Sequence, residues 1–218
     1  MQPVSLPAPS SWLPKGKISW TQIDLAINNP KEYYERYFLN LKQEEPDHLI
    51  VGKIFHSIPL NPKWKEEMEE KGVKAYIKTC EKYADYAKLP NQEQGVSCTY
   101  ESNFGSVEII GYFDGYESET EYVLHELKTS PYKIWDKKRL QESGQFKLYS
   151  LIFYSIFGVI PEVRLKSFKL TQDPAKSRMA VLVYTPKLRD VLAIQQKIDQ
   201  ALEIIYQLYE AHKNQTNR

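Results

Sequence analysis

The sequence has little cysteine and no excess of charge of either sign. Its 218 residues include two cysteines, Cys80 and Cys98, too few within this chain for a disulfide framework or a four-cysteine zinc or iron–sulfur site. We therefore expect no iron–sulfur cluster. Basic residues number 29 and acidic residues 28, for a formal net charge of +1. Any nucleic acid would then be bound by local basic patches, because no global positive field attracts phosphates.

Long apolar runs are also absent. The most apolar stretch, residues 148–160, is interrupted by two serines and a glycine, and it falls short of the roughly 18–20 residues that span a membrane. The N-terminus lacks the basic segment and apolar core of a secretory signal. No G-x-x-x-x-G-K-[ST] motif occurs, so this chain carries no nucleotide-driven motor of that type. These absences predict a cytoplasmic protein with no membrane contact.

What remains is the composition of a globular protein, with 42% apolar and 26% charged residues. Four prolines in residues 1–17 predict an extended N-terminal arm. Residues 18–212 have the length of a single domain, and residues 213–218 form a polar tail. Apolar periodicity predicts a mixed α/β (α+β) fold, a central mixed β-sheet flanked by helices. The predicted helices are 19–27, 31–39, 51–56, 64–88, 137–157 and 188–212, and the strands are 99–101, 107–116, 122–128, 163–170 and 178–184.

Two of these strands carry the residues with the clearest chemistry. Glu126 and Lys128 are two apart, so they share one face of a strand, while Leu127 points into the core. Asp114 ends the preceding apolar run. If 107–116 and 121–128 form an antiparallel hairpin with Asp114 opposite Leu124, Asp114 joins the face of Glu126 and Lys128. A one-residue slip in register would remove this convergence.

Two neighbouring carboxylates repel each other unless a cation lies between them. Mg²⁺ and Mn²⁺ prefer oxygen ligands, so Asp114, Glu126 and the backbone carbonyl of Leu127 are candidate ligands. Such an ion lowers the pKa of bound water and stabilises charge on phosphate oxygens. Lys128 would position the attacking water or bind the scissile phosphate. We therefore predict a Mg²⁺ or Mn²⁺ site.

Three further residues are weaker candidates. His56 can bind Mn²⁺ through its imidazole, although a lone histidine beside Phe55 is more typical of packing. Gln145 and Tyr149 are four apart and share one helix face. They could orient Lys128 and contact a substrate backbone, or Tyr149 could belong to the apolar stripe of its helix. A basic stretch nearby could guide a phosphate backbone, or it could simply face solvent: Lys133, Lys137, Lys138, Arg139 and Lys147.

The ordered set of these residues resembles the PD-(D/E)XK nuclease superfamily, specifically its RecB-type branch: Gly52-x-x-x-His56, Gly111-x-x-Asp114, Glu126-x-Lys128 and Gln145-x-x-x-Tyr149. The resemblance covers about residues 18–185. It implies a restriction-endonuclease-like core. It also implies metal ligation by His56, Asp114 and Glu126, catalysis by Lys128, and support of catalysis and DNA contact by Gln145 and Tyr149. The chain departs from the branch at Leu127, where an aromatic residue is commoner, and in lacking the cysteines that ligate a cluster in some members.

The predicted function is hydrolysis of phosphodiester bonds by a divalent-metal-dependent DNA nuclease. The resemblance favours an exonuclease acting on DNA ends or single strands in recombination, repair, or phage or defence DNA processing. It would act alone, as an oligomer, or with a separate helicase or recombination partner. Two alternatives stay open. One is a non-catalytic DNA-binding or scaffold module on the same fold, and the other is a purely structural ion network in an unrelated α/β protein.

Overall fold

The strands of the protein form two mixed sheets, in a computed structural model that describes residues 7–216. The first sheet has the order β1-β3-β2, with β1 parallel and β2 antiparallel to β3. The second has the order β4-β5-β6-β7, in which β5 and β6 are parallel. The strands are β1 (Lys17–Ser19), β2 (Gln94–Ser102), β3 (Gly105–Phe113), β4 (Gly115–Glu117), β5 (Val123–Ser130), β6 (Glu162–Lys169) and β7 (Arg178–Tyr184).

Helices flank both sheets, so the predicted mixed α/β class is confirmed. None of the helices within residues 7–216 combines the length and the apolar character that crossing a membrane requires. They are α1 (Pro9–Trp12), α2 (Trp20–Asn28), α3 (Pro30–Tyr37), α4 (Asp47–Ser57), α5 (Trp64–Glu70), α6 (Ile77–Tyr83), α7 (Lys137–Glu142), α8 (Gly144–Phe157) and α9 (Leu188–Thr216). Three 3₁₀ turns lie at Pro14–Gly16, Lys74–Tyr76 and Ala84–Ala87.

The second sheet has a hydrophobic core on each face, because β5 and β6 carry buried side chains on both sides. Leu124 and Leu165 join the larger core, to which α2, α8 and α9 contribute. Leu127 and Phe168 join the smaller core with residues of α4, α5 and α6. β5 is therefore a central strand that is buried on both faces. Its residues 126–128 therefore lie between two helical layers.

The predicted N-terminal arm is folded rather than extended over its described residues. We expected an extended arm at 1–17, of which residues 1–6 lie outside the described part. The rest folds into α1, a 3₁₀ turn and the start of β1, and Trp12 and Leu13 are buried. These apolar side chains hold the segment against the larger core. The expected polar tail, 213–218, is exposed and helical as far as Thr216, where α9 ends, and residues 217–218 lie outside the described part.

Two predicted helices are broken into pieces. The stretch 64–88 was expected to be one long helix, but it divides into α5, α6 and two 3₁₀ turns, with Gly72 in the left-handed region at φ +74°. The stretch 137–157 divides at Ser143, whose backbone is extended. At Gly144 a β-carbon would overlap the ring of Trp20. The start of α8 is therefore set by contact with α2, which periodicity does not reveal.

Candidate active site

The candidate active site lies where the chain passes from the first sheet to the second. β3 ends at Phe113 and β4 begins at Gly115, so Asp114 is the residue between them. β4 pairs with β5 so that Gly115 lies opposite His125. Continuing this register places Asp114 opposite Glu126.

The predicted hairpin is therefore wrong in two respects. Most of the predicted strand 107–116 belongs to β3, which pairs with β1 and β2 rather than with β5. The register is also shifted by two residues, because Tyr116, not Asp114, lies opposite Leu124. A shift of two residues keeps the same face, so Asp114 still converges with Glu126 and Lys128.

The carboxylate of Asp114 has one contact with α4 and one with β5. Its Oδ1 lies 3.1 Å from Nδ1 of His56 on α4, and its Oδ2 accepts a 2.7 Å hydrogen bond from the backbone N–H of Leu127. Burial alone would raise the pKa of Asp114, but His56, Lys128 and the Leu127 amide together hold that pKa below its usual value. Asp114 is therefore ionised near neutral pH. The structure thus brings His56 and Asp114 together.

Glu126 is a buried carboxylate with one oxygen left unsatisfied. Its side chain is 1% exposed, and Oε2 accepts a 3.4 Å hydrogen bond from Nζ of Lys128. Oε1 has no hydrogen-bond partner among residues 7–216. Burial and the nearby Asp114 raise the pKa of Glu126 well above its usual value, against the attraction of Lys128. A buried carboxylate oxygen without a partner is costly, and a bound cation would relieve that cost.

Gln145 and Tyr149 lie on α8, on the same side of β5 as Glu126. Nε2 of Gln145 donates a 3.1 Å hydrogen bond to Oη of Tyr149. Tyr149 is 7% exposed and packs 5.5 Å from Phe113 between ring centroids. Burial, with a smaller contribution from the charge of Glu126, raises the pKa of Tyr149. Tyr149 therefore supports the site from within the core and presents little surface to a substrate.

Two glycines of the sequence pattern occupy positions where a side chain would not fit. A β-carbon on Gly52 would lie 2.5 Å from Oγ1 of Thr129, so Gly52 allows α4 to approach β5 closely. A β-carbon on Gly111 would lie 2.9 Å from Cε1 of Tyr149. The first contact places His56 beside Asp114, and the second makes room for Tyr149. Both glycines belong to the sequence motif, but the motif alone does not reveal these close contacts.

Some contacts of the site carried no signal in the sequence. Nζ of Lys128 lies 5.7 Å from the ring centroid of Phe146, a cation–π contact that restrains the ammonium. His125, next to Glu126 in β5, faces the other side of the strand, where its Nε2 lies 2.7 Å from Oε1 of Glu117. The pairing of Lys128 with Phe146 joins residues 18 positions apart in the sequence, so no local pattern indicates it.

A cleft of about 440 Å³ opens beside these residues. His56 and Lys128 line it, and the other lining residues come from α4 and the end of β5: His48, Leu49, Gly52, Lys53 and Thr129. Another groove, of about 330 Å³, lies between β2, α8 and α9 and contains none of the candidate site residues. The cleft therefore gives a ligand access to the His56 and Lys128 side chains.

The predicted metal ligands are not gathered into one preformed cluster. Within the described chain, no group of three or more His, Cys, Asp or Glu side chains has the spacing of a metal site. His56 instead bonds to Asp114. Two carboxylates and a backbone carbonyl nevertheless suit Mg²⁺ or Mn²⁺, which keep several waters as ligands. The unsatisfied Oε1 of Glu126 and the ionised Asp114 fit such an ion.

Comparison with known proteins identifies a shared fold. No protein-family model matches the chain, and no curated protein matches its sequence. A crystal structure of a putative exonuclease from Eubacterium rectale is similar, with a TM-score of 0.62 at 13% sequence identity, over 91% of this chain and 83% of that one. A crystal structure of SSO0001 has a TM-score of 0.48 at 16% identity, over 87% and 76% of the two chains. The likeness to the Eubacterium rectale structure shows that this chain has the fold of that protein.

Proposed function

We propose that the protein is a divalent-metal-dependent DNA nuclease of the PD-(D/E)XK superfamily, RecB-type branch. One observation supports the proposal most: Asp114 accepts a hydrogen bond from the backbone N–H of Leu127, the residue between Glu126 and Lys128, and Oε1 of Glu126 lacks a partner among the described residues. A structural ion network would be expected to satisfy its own buried atoms. A buried oxygen left open beside a second carboxylate favours a site that binds a ligand.

Each residue has a role that its position supports. Asp114 and Glu126 would hold Mg²⁺ or Mn²⁺, with the carbonyl of Leu127 as a further ligand. When bound, the ion would lower the pKa of water and stabilise charge on the phosphate. His56 contacts Asp114 through Nδ1, so it orients that carboxylate, and a ligand role would fall to its Nε2.

Lys128 is the residue that would act on the phosphate or on the attacking water. Lys128 is one of the residues that line the cleft, and its Nζ donates a hydrogen bond to Glu126. It is a compact cation, and it can bind a scissile phosphate oxygen or orient the nucleophile without leaving Glu126. Gln145 would fix the position of the Tyr149 side chain through their hydrogen bond. Both residues would then stabilise the packing of α8 against the strand that carries Glu126.

The similar protein from Eubacterium rectale is named a putative exonuclease, which supports exonuclease activity, while DNA as the substrate follows from the resemblance to the RecB-type branch. Exposed basic residues follow β5 in the chain and could lead a phosphate backbone toward the cleft: Lys133, Lys137, Lys138 and Arg139. With no motor motif in this chain, unwinding of a duplex would need a separate helicase or recombination partner.

Cleavage assays test the proposal directly. The substrates are end-labelled single-stranded DNA, end-labelled duplex and closed circular DNA, each with Mg²⁺, Mn²⁺ or EDTA. We expect metal-dependent degradation of linear DNA by wild type and by Lys31→Ala, a control at an exposed lysine of α3 to which no DNA contact is assigned. Lys128→Ala should lose at least about a hundredfold in rate, the usual contribution of one electrostatic group.

Two results would contradict the proposal. Wild type that cuts no substrate with either metal would favour a non-catalytic DNA-binding or scaffold module on this fold. Equal cleavage by Lys128→Ala and wild type would remove the lysine from the reaction. Degradation of closed circles at the same rate as linear DNA would retain the nuclease and replace the exonuclease assignment with an endonuclease.

A further inference from the structure

Part of the cleft beside the site has no role in the proposed chemistry. Besides His56, Lys128 and the closely packed Gly52 and Thr129, the cleft is lined by three residues: His48, Leu49 and Lys53. These three residues all lie on α4, in its first two turns. The part that they form is open to solvent, since Leu49 is 49% exposed although it is apolar. Leu49 therefore offers an apolar contact on the surface of this cleft.

An aromatic side chain stands beside this part of the cleft. Tyr132 is 78% exposed, and its ring centroid lies 6.4 Å from that of His48, with an angle of 59° between the ring planes. The backbone N–H of Tyr132 donates a 3.2 Å hydrogen bond to Oγ of Ser130, the last residue of β5. The strand end thus fixes the backbone of Tyr132 four residues beyond Lys128. Its ring face remains free for another flat group.

A positive charge lies on the same wall. Lys53 forms an ion pair with Glu45, and both side chains are about half or more exposed. Exposed pairs of this kind contribute little free energy, so Lys53 can exchange Glu45 for a phosphate at low cost. The wall therefore offers an aromatic face, an apolar side chain and a cation next to the proposed catalytic lysine.

From this arrangement we propose that Tyr132 and His48 form a nucleobase-binding subsite. It takes an unpaired base adjacent to the scissile phosphate, stacked on the ring of Tyr132 with its edge toward His48, and Lys53 contacts the flanking phosphate. This proposal rests on the proposed nuclease function, which identifies the scissile phosphate. Binding of a base to the subsite can nevertheless be measured without cleavage.

The base must be unpaired because bases inside a duplex already stack on their neighbours. A single strand leaves its bases free to stack on aromatic side chains, and every base has a face that can do so. The subsite therefore favours single strands or frayed ends over intact duplex without reading sequence. Tyr132 sets this preference by contact with the substrate and takes no part in bond cleavage.

Binding in EDTA tests the subsite without cleavage. Fluorescence anisotropy would compare a labelled oligothymidylate with a duplex of equal length for four proteins: wild type, Tyr132→Ala, Tyr132→Phe and Tyr122→Ala. Tyr122 is a matched control, an exposed tyrosine just before the opposite end of β5. Because Tyr132 is so exposed, its replacement should leave the fold intact, which thermal unfolding would check.

We expect Tyr132→Ala to weaken single-strand binding by at least about fivefold, the lower end for loss of one base stack. The duplex affinity of Tyr132→Ala should stay within about twofold of wild type. The single-strand affinities of Tyr132→Phe and Tyr122→Ala should stay within the same range. Single-strand affinity of Tyr132→Ala equal to wild type would overturn the subsite. So would an equal loss for single strands and duplex, or the absence of any single-strand binding by wild type.

The two proposals fail separately. If wild type cuts DNA while Tyr132→Ala binds single strands normally, the nuclease stands and the subsite is wrong. If wild type cuts nothing while Tyr132→Ala selectively loses single-strand binding, the subsite stands on a protein that binds without cutting.

Discussion

The buried charge of Glu126 should make the metal-free protein less stable as pH rises. Burial and the proximity of Asp114 raise the pKa of Glu126 in the folded state, whereas in the unfolded chain it returns to about 4.3. Between these two values the folded state binds more protons than the unfolded state. The free energy of unfolding therefore falls with increasing pH across this window.

The change in the free energy of unfolding per pH unit is set by the single proton that Glu126 binds. A difference of one bound proton gives a slope of at most about 1.4 kcal/mol per pH unit. The titration of Asp114 does not overlap with this pH dependence of the free energy of unfolding. Its pKa is lowered in the folded state, so its contribution is fully present above its ordinary value of about 3.9 and is lost only as pH falls below that.

Glu126→Gln is the variant that isolates this contribution. Urea denaturation in EDTA at several pH values from 5 to 8 would give the free energy of unfolding of wild type, Glu126→Gln and Glu108→Gln. Glu108 is an exposed glutamate of β3 and serves as the control. Histidines titrate in the same range, so the measured quantity is the difference between each variant and wild type.

We expect Glu126→Gln to become more stable relative to wild type as pH rises, while Glu108→Gln keeps a constant difference. Saturating Mn²⁺ should stabilise wild type and not Glu126→Gln, because a ligand that binds only the folded state stabilises it by mass action. A difference between Glu126→Gln and wild type that does not change with pH would refute the reasoning. It would mean that Glu126 is hydrated or paired in solution.

Two further predictions concern the residues around the site. Gly52→Ala should cost about 1–3 kcal/mol in urea denaturation, because its new β-carbon meets Thr129, and cleavage should slow as His56 is displaced. Adding Thr129→Ala to Gly52→Ala should restore part of the stability and part of the cleavage rate. If neither recovers, the contact between residues 52 and 129 is not the cause of the losses. Tyr149→Phe removes the acceptor of the Gln145 hydrogen bond and should cost about 1 kcal/mol, with rates near wild type. A large rate loss at unchanged stability would instead place the Tyr149 hydroxyl in the reaction.

The residues of the site could be selected from the sequence, but their arrangement could not. Spacing in a strand is local information, so Glu126 and Lys128 were correctly predicted to share a face. The pairing of one strand with another depends on residues that are distant in the sequence, so spacing does not reveal it. We predicted Asp114 opposite Leu124, and the true register differs by two residues because the chain bends at Asp114 and changes sheets. The predicted convergence survived because an even shift preserves the face.

Contacts between distant elements explain the remaining errors. The division between α7 and α8 reflects the packing of Gly144 against Trp20, and the folding of the N-terminal segment reflects burial of Trp12. Each involves residues far apart in the chain, so neither composition nor periodicity predicts it. The pairing of Tyr132 with His48 is of the same kind, which is why an exposed tyrosine could not be singled out among 16 in the sequence.

The position of Asp114 between the sheets has a consequence for how the molecule is held together. One side of this residue continues into β3 and the other into β4, while its carboxylate bonds to β5 and contacts α4. An ion shared by Asp114 and Glu126 would cross-link the two sheets without a covalent bond. In a chain with only two cysteines, both free, loading of the site would then take the part that a disulfide plays in other small domains.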